Sequence, residues 1–143
     1  MRLLLVLTIL LASCATPPAP EPQPEPPPPT VVPPKENIAI AGLMETARTE
    51  AAAGNLASAA ASLERALRIE PRNPRLWHEL ARVRLKQGQF AQAENVAARS
   101  NSWAGDDKAL RAENWRLIAE SRRARGDDEG ARAAEEAAGR IAQ

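Results

Sequence analysis

The segment Ala66 to Asn73 reads ALRIEPRN, and the segment Leu85 to Phe90 reads LKQGQF. Pro71 cannot continue a helix, and Gly88 allows the left-handed backbone that commonly closes one. Asn73 followed by Pro74 is a favourable pair of N-cap and first helical residue. Between these signals the chain is rich in Ala, Leu, Arg and Glu. The two stretches therefore predict helices that follow one another through short turns.

The same residue classes recur around three glycines. Gly54 and Gly88 lie 34 residues apart, and Gly126 follows 38 residues later. A large apolar residue stands eleven positions before each glycine, and a small one stands seven before and five after it: Leu43, Trp77, Trp115; Ala47, Ala81, Ala119; Ala59, Ala93, Ala131. Small side chains let paired helices approach closely, so the pattern predicts six helices in three antiparallel hairpins.

This pattern resembles the tetratricopeptide repeat, and the resemblance implies an all-α fold, a short superhelix of three helical hairpins. The repeats would span residues 40–73, 74–107 and 112–143 of a domain at 37–143. The alternative is a generic alanine-rich bundle. We expect the four extra residues of the third copy in a longer loop between 101 and 108, where Asp106 and Asp107 indicate a helix start.

The chain departs from the family pattern at several positions. The usual tyrosine, four residues before the turn glycine, is replaced by Glu50, Arg84 and Arg122. We expect looser packing between repeats there. Asp128 and Glu135 stand where the last repeat would have an aromatic and a core residue, which suits a terminal hairpin with a solvated outer face.

The N-terminus reads as a signal peptide over residues 1–13, with Arg2 before an apolar run too short to span a bilayer. Leu11-Ala12-Ser13-Cys14 resembles the lipobox of bacterial lipoproteins, and this resemblance implies a lipid such as palmitate on Cys14. Cys14 is the only cysteine, so an internal disulfide is excluded. An ordinary secretory signal, or a cytosolic protein with an apolar start, is the alternative. Ala15 implies sorting to the outer membrane, by analogy with enterobacterial lipoproteins.

Residues 14–36 hold eleven of the thirteen prolines and read as a disordered tether behind the lipidated cysteine. Proline excludes both helix and sheet pairing here and favours polyproline II. Such a tether would span up to roughly 70 Å, at about 3.1 Å per residue. It is either a spacer that holds the domain off the membrane or an unselected linker. A ligand for proline-reading domains is a weaker third interpretation.

Charge and composition exclude several functions. The chain has 19 basic and 18 acidic residues, so loss of Arg2 would leave the charges balanced, and we expect no nucleic-acid partner. His78 is the only histidine, and no nucleophile motif, phosphate loop or Cys/His cluster is present. We therefore expect no enzyme, no metal, no cofactor beyond the lipid, and no small-molecule substrate. An enzyme would need an activity that is lost on His78→Ala.

The resemblance also implies a groove formed by the first helix of each repeat, where tetratricopeptide domains bind protein partners. The repeat alignment assigns ten residues to this groove: Met44, Arg48, Ala51, His78, Glu79, Arg82, Lys86, Arg116, Glu120 and Arg123. Five of them are basic, which indicates either a mildly cationic site for an acidic or extended peptide or an ordinary solvated helix face. The carboxylate clamp of chaperone-binding repeats is not matched, because Met44 and Arg48 replace its lysine and asparagine.

Lipobox, proline-rich tether and small repeat domain together are similar to the outer-membrane lipoprotein activators of class A penicillin-binding proteins. That resemblance implies a non-enzymatic periplasmic adaptor anchored in the outer membrane, with a peptidoglycan synthase as its partner in cell-wall synthesis. The alternative is an assembly factor, similar to the pilotins of pilus secretins or to a lipoprotein of the outer-membrane protein insertion machine. Those proteins have longer arrays of repeats than the three predicted here, which counts against this alternative.

Overall fold

The computed structural model describes residues 38–142. Within this range the chain forms six α-helices: α1 (Ile38–Ala52), α2 (Leu56–Ile69), α3 (Pro74–Lys86), α4 (Phe90–Trp103), α5 (Lys108–Ala124) and α6 (Asp128–Ala142). The predicted signal peptide, the lipidated Cys14 and the tether over 14–36 lie outside the described residues and stay predictions. None of the helices in the described range is long and apolar enough to cross a membrane.

The helices pair in chain order, α1 with α2, α3 with α4, and α5 with α6, and α2 and α4 each pack on the next hairpin. The alanines that the repeat pattern assigned to close helix approach are buried, with Ala47 3%, Ala81 0% and Ala119 1% exposed. Alanine has almost no side chain beyond the backbone, so it permits this approach without a void. The predicted all-α tetratricopeptide fold of three hairpins is confirmed.

Three glycines end the first helix of each hairpin in the left-handed conformation. The φ angles are 82° at Gly54, 72° at Gly88 and 80° at Gly126. In each case the following residue donates a backbone hydrogen bond to the carbonyl five residues earlier, as Gln89 does to Arg84 at 2.9 Å. This is the Schellman closure, which glycine adopts without a steric penalty. The recurrence of glycine in the sequence thus has a direct backbone cause.

The four extra residues of the third repeat are not in a loop, so that expectation was wrong. The connections before α3 and α5 are equally short, because Asn73 caps α3 and Asp107 caps α5 one 34-residue period later. The extra residues lie inside α5, which has 17 residues where α3 has 13. Four residues are about one helical turn, so the insertion keeps later side chains on the same face. Asp107 ends the connection by accepting a hydrogen bond from the Leu110 amide at 3.0 Å.

Two of the three positions that lack the family tyrosine, Arg84 and Arg122, form ion pairs between repeats, and the looser packing expected there stays a prediction. Arg84 of α3 pairs with Glu64 of α2. Arg122 of α5 pairs with Glu94 of α4 at 2.7 Å, and Arg125 contacts the same carboxylate. Each arginine therefore reaches back to the second helix of the preceding hairpin.

The two junctions between repeats have different interiors. The first contains four alanines and six branched aliphatic side chains, the latter being Ile40, Leu63, Leu67, Leu76, Leu80 and Val83. The second cluster consists mainly of alanine, with Ile118 as its large member: Ala81, Ala97, Ile118, Ala119 and Ala134. Helices α3 and α5 are in direct contact, whereas α1 and α3 have no contact of comparable extent.

Candidate partner-binding groove

A wide groove crosses the first helices of all three repeats. Its volume is about 890 Å³. The lining comes from α1, α3, α5 and the connection before α3: Ile40, Ala41, Met44, Glu45, Arg48, Glu70, Asn73, Arg75, His78, Glu79, Arg82, Leu110 and Glu113. Leu110 belongs to the extra turn at the start of α5, so this insertion extends the groove wall.

A small cavity of about 140 Å³ adjoins the wide groove between α1 and α3. Its apolar wall comes from α1, α2 and α3: Met44, Ala47, Ala51, Ala52, Leu63 and Val83. Its charged lining residues, here called the rim, are Arg48, Glu79, Arg82 and Lys86. Because Met44, Arg48, Glu79 and Arg82 line both spaces, the small cavity is a side pocket of the groove.

The structure brings the predicted groove residues of the first two repeats together around these two spaces: Met44, Arg48, Ala51, His78, Glu79, Arg82 and Lys86. Their charges are distributed unevenly. The wide groove has four glutamates against three arginines and His78, so its lining is not cationic. The rim of the small cavity has three cations against Glu79 alone. The basic excess that the sequence indicated is therefore confined to the small cavity.

Most of these rim charges form local ion pairs. Arg82 contacts Glu79 at 3.2 Å, and Arg48 lies 3.8 Å from Glu45. Lys86 forms no ion pair within residues 38–142. Such exposed pairs between neighbouring turns stabilise a helix only weakly, so they can exchange for a ligand carboxylate at small cost.

The predicted groove residues of the third repeat are not brought to these spaces. Arg116 is exposed and lines a separate cavity beside the end of α6. Arg123 donates a 2.6 Å hydrogen bond to Glu135 of α6, and this bond and charge raise the pKa of the Arg123 guanidinium. Glu120 is exposed on α5. Their assignment to a partner site stays a prediction that the cavities do not support.

His78 lines the groove but is largely buried, since only 9% of it is exposed. Its Nδ1 lies 2.8 Å from Oδ1 of the fully buried Asn114. Asn114 donates to Ser100 Oγ at 2.8 Å and to Asn101 Oδ1 at 3.0 Å, and Ser100 donates to the Pro74 carbonyl at 2.8 Å. Since the Asn114 amide nitrogen is used as a donor, its oxygen accepts and the Nδ1 of His78 carries the proton.

This polar cluster joins α3, α4 and α5, and sequence reasoning missed it. Asn114 stands twelve residues before Gly126, and the residue twelve before Gly88 is the fully buried Leu76. An asparagine in a register position that holds leucine in the preceding repeat is the signal that could have revealed this buried polar cluster. A buried amide needs hydrogen-bond partners, so an asparagine at a core position points to other polar side chains nearby. His78 is one such partner, on the neighbouring helix α3.

The domain is similar to a known repeat family and to a solved structure. A family model described as a tetratricopeptide repeat matches residues 50–113. The structure of the globular C-terminal domain of P. aeruginosa LpoP is similar with a TM-score of 0.69 and 48% sequence identity. That similarity covers 70% of this chain and 94% of the LpoP domain chain. The chain belongs to the LpoP family. No significant match is found among curated proteins.

The groove and the small cavity give this LpoP-family domain a surface that a protein partner could contact. Within residues 38–142 no group of three or more His, Cys, Asp and Glu side chains is placed to hold a metal ion. The Nε2 of His78 lies 3.7 Å from the carboxylate of Glu113. The arrangement offers an apolar pocket, a charged rim and a long groove, which are the elements of protein recognition.

Proposed function

We propose that this chain is an outer-membrane lipoprotein that activates a class A penicillin-binding protein by binding its periplasmic part. The observation that carries the proposal is the 48% identity to the LpoP domain over 94% of that domain. The sequence resemblance to lipoprotein activators of these synthases supports the same role. The groove of α1, α3 and α5 supplies a surface suited to a protein partner.

The proposed activator is not an enzyme. It would act by binding the synthase and stabilising the more active of its conformations, since a ligand shifts such an equilibrium only through its higher affinity for one state. The tether over residues 14–36 would let the domain reach the synthase from the outer membrane. The match to the LpoP domain favours this role over that of a pilotin or another assembly factor.

The test of the activator role is a reconstituted synthesis assay. We expect residues 14–143, produced with Cys14→Ser so that no lipid is attached, to bind the periplasmic part of a class A synthase from the same cells. The protein should raise the rate of glycan polymerisation or crosslinking. Absence of binding and of any rate change at micromolar concentrations would reject the proposal.

The proposed anchor is tested separately. We expect cells fed radiolabelled palmitate to label the wild-type chain, and the label to fractionate with the outer membrane. Cys14→Ser should abolish the label and release the protein into the periplasm, because the acyl chains provide the membrane affinity. Labelling of the Cys14→Ser protein would contradict this anchor without affecting the activator role.

A further inference from the structure

The small cavity between α1 and α3 has the size of one large side chain. Its volume is about 140 Å³. An engineered apolar cavity of about 150 Å³ in another protein accommodates benzene, so a phenyl or isobutyl group fits a space of this size. The apolar part of the lining comes from three helices and includes Met44 of α1, Leu63 of α2 and Val83 of α3. The space is therefore suited to an apolar group.

The cavity exists because α1 carries small residues where it faces α3. Ala47, Ala51 and Ala52 all line it, and each leaves room that a larger side chain would fill. The residue three before the turn glycine is Ala51 in the first repeat and Leu85 in the second. A leucine at position 51 would extend into the same space. The opening therefore depends on a specific choice of residue in the first repeat.

The rim selects against a cationic partner. Arg48, Arg82 and Lys86 surround the opening, and Glu79, the one carboxylate there, is already paired with Arg82. Lys86 has no ion-pair partner among the described residues. An occupant that brought one or two carboxylates next to its apolar group would find three cations within the same rim. Charge complementarity of this kind favours encounter and orients the partner.

We propose that the small cavity is an anchor pocket for a partner segment in which one Phe or Leu side chain is followed directly by acidic residues. The apolar side chain fills the space above Leu63, and the carboxylates face Arg48, Arg82 and Lys86. This inference rests on the proposed binding of a synthase through the groove, and it adds the chemistry of the segment that is bound. In many interfaces, a few buried anchor side chains surrounded by a polar rim provide most of the binding energy.

The direct test is an NMR titration of residues 14–143 carrying Cys14→Ser. The probe is the peptide acetyl-Gly-Phe-Glu-Glu-Gly-amide, compared with a peptide in which serine replaces phenylalanine and one in which two lysines replace the glutamates. We expect the first peptide alone to shift the methyl signals of Met44, Ala51, Leu63 and Val83. Equal shifts with the serine peptide, or none with the phenylalanine peptide at millimolar concentration, would overturn the proposal.

Two variants with matched controls test the pocket independently. Ala51→Leu fills the cavity and should weaken peptide binding by roughly tenfold, while Ala61→Leu on the exposed face of α2 makes the same change outside it and should have no effect. Lys86→Glu should weaken binding by about threefold, and the exposed Arg132→Glu, which changes the net charge equally, should not. Unchanged binding by both Ala51→Leu and Lys86→Glu would overturn the proposal.

The same four variants distinguish the pocket from the activator role. If wild type binds and stimulates the synthase while Ala51→Leu binds it equally well, the pocket is wrong and the activator role stands. If wild type does not bind the synthase but the phenylalanine peptide enters the cavity, the activator role fails and the pocket stands. Loss of synthase binding in Ala51→Leu, with Ala61→Leu unaffected, supports both.

Discussion

The junction between the first and second repeats differs from the junction between the second and third. At the first, α1 and α3 are separated by the small cavity, and the contact beneath it is aliphatic. At the second, α3 and α5 touch, and the buried His78–Asn114 pair ties them together. Helix α3 contributes to both junctions, and the hairpins on either side of each junction are repeats of the same family. Small changes at matched register positions therefore produce an open cavity at one junction and a closed contact at the other.

The largest predicted effect breaks the closed junction. Asn114→Ala removes the residue that links His78, Ser100 and Asn101, and it leaves buried polar groups without partners. We expect the free energy of unfolding to fall by about 3 kcal/mol, measured by urea denaturation. Asn95→Ala, on the exposed face of α4, should change it by less than about 0.5 kcal/mol. A loss below about 1 kcal/mol for Asn114→Ala would contradict a structural role for the cluster.

The second prediction compares the two junctions by the same substitution. Ala81 is fully buried, so Ala81→Leu should overpack the second junction and cost about 2 kcal/mol of unfolding free energy. Ala51→Leu extends into the cavity and should cost less than about 0.5 kcal/mol. Thermal and urea unfolding of both variants would measure the difference. Equal destabilisation would mean that the first junction is as closed as the second.

The third prediction concerns Gly88, which ends the helix shared by both junctions. With φ at 72°, Gly88→Ala adds a Cβ in the left-handed region and should cost about 1 kcal/mol. The control is Gly139→Ala inside α6, where open space surrounds the added Cβ and helix propensity should raise stability by roughly 0.5 to 1 kcal/mol. The changes in unfolding free energy measured by urea denaturation should therefore have opposite signs for the two variants. A stabilising Gly88→Ala would contradict the left-handed cap at Gly88.

The smallest predicted effects are in the ion pairs that replace the family tyrosine. Arg84→Gln at the first junction and Arg122→Gln at the second should each lower the free energy of unfolding by about 0.5 kcal/mol. Both losses should shrink in 1 M salt because the pairs are only partly buried. Losses above about 2 kcal/mol would mean that these pairs, and not the buried cores, hold the repeats together.

Much of the repeat fold could be predicted from residues whose type is dictated by backbone geometry. Gly54, Gly88 and Gly126 recur because a left-handed cap requires glycine, and Ala47, Ala81 and Ala119 recur because close helix approach requires a small side chain. The position of the insertion was mistaken because Gly105, Asp106 and Asp107 are typical of loops. One full turn added to α5 preserves the helical pattern, so it leaves no break in the sequence.

The candidate binding site was predictable only in part. Repeat alignment identifies which residues of α1 and α3 share a face, and the structure gathers them around the groove. Repeat alignment does not reveal a cavity, because a cavity forms where several small residues together leave space unfilled. The burial of His78 was also missed, since its partner Asn114 lies 36 residues away in sequence. Pairing across that distance depends on how the hairpins stack.

The most direct test of this account is hydrogen–deuterium exchange of residues 14–143, carrying Cys14→Ser, with and without the periplasmic part of the class A synthase. Partner binding at the open junction predicts slower exchange in α1 and α3, around residues 44–52 and 79–86, with α6 unchanged. Protection confined to α2, α4 and α6 would contradict the account, because the partner would then bind the opposite face of the repeats.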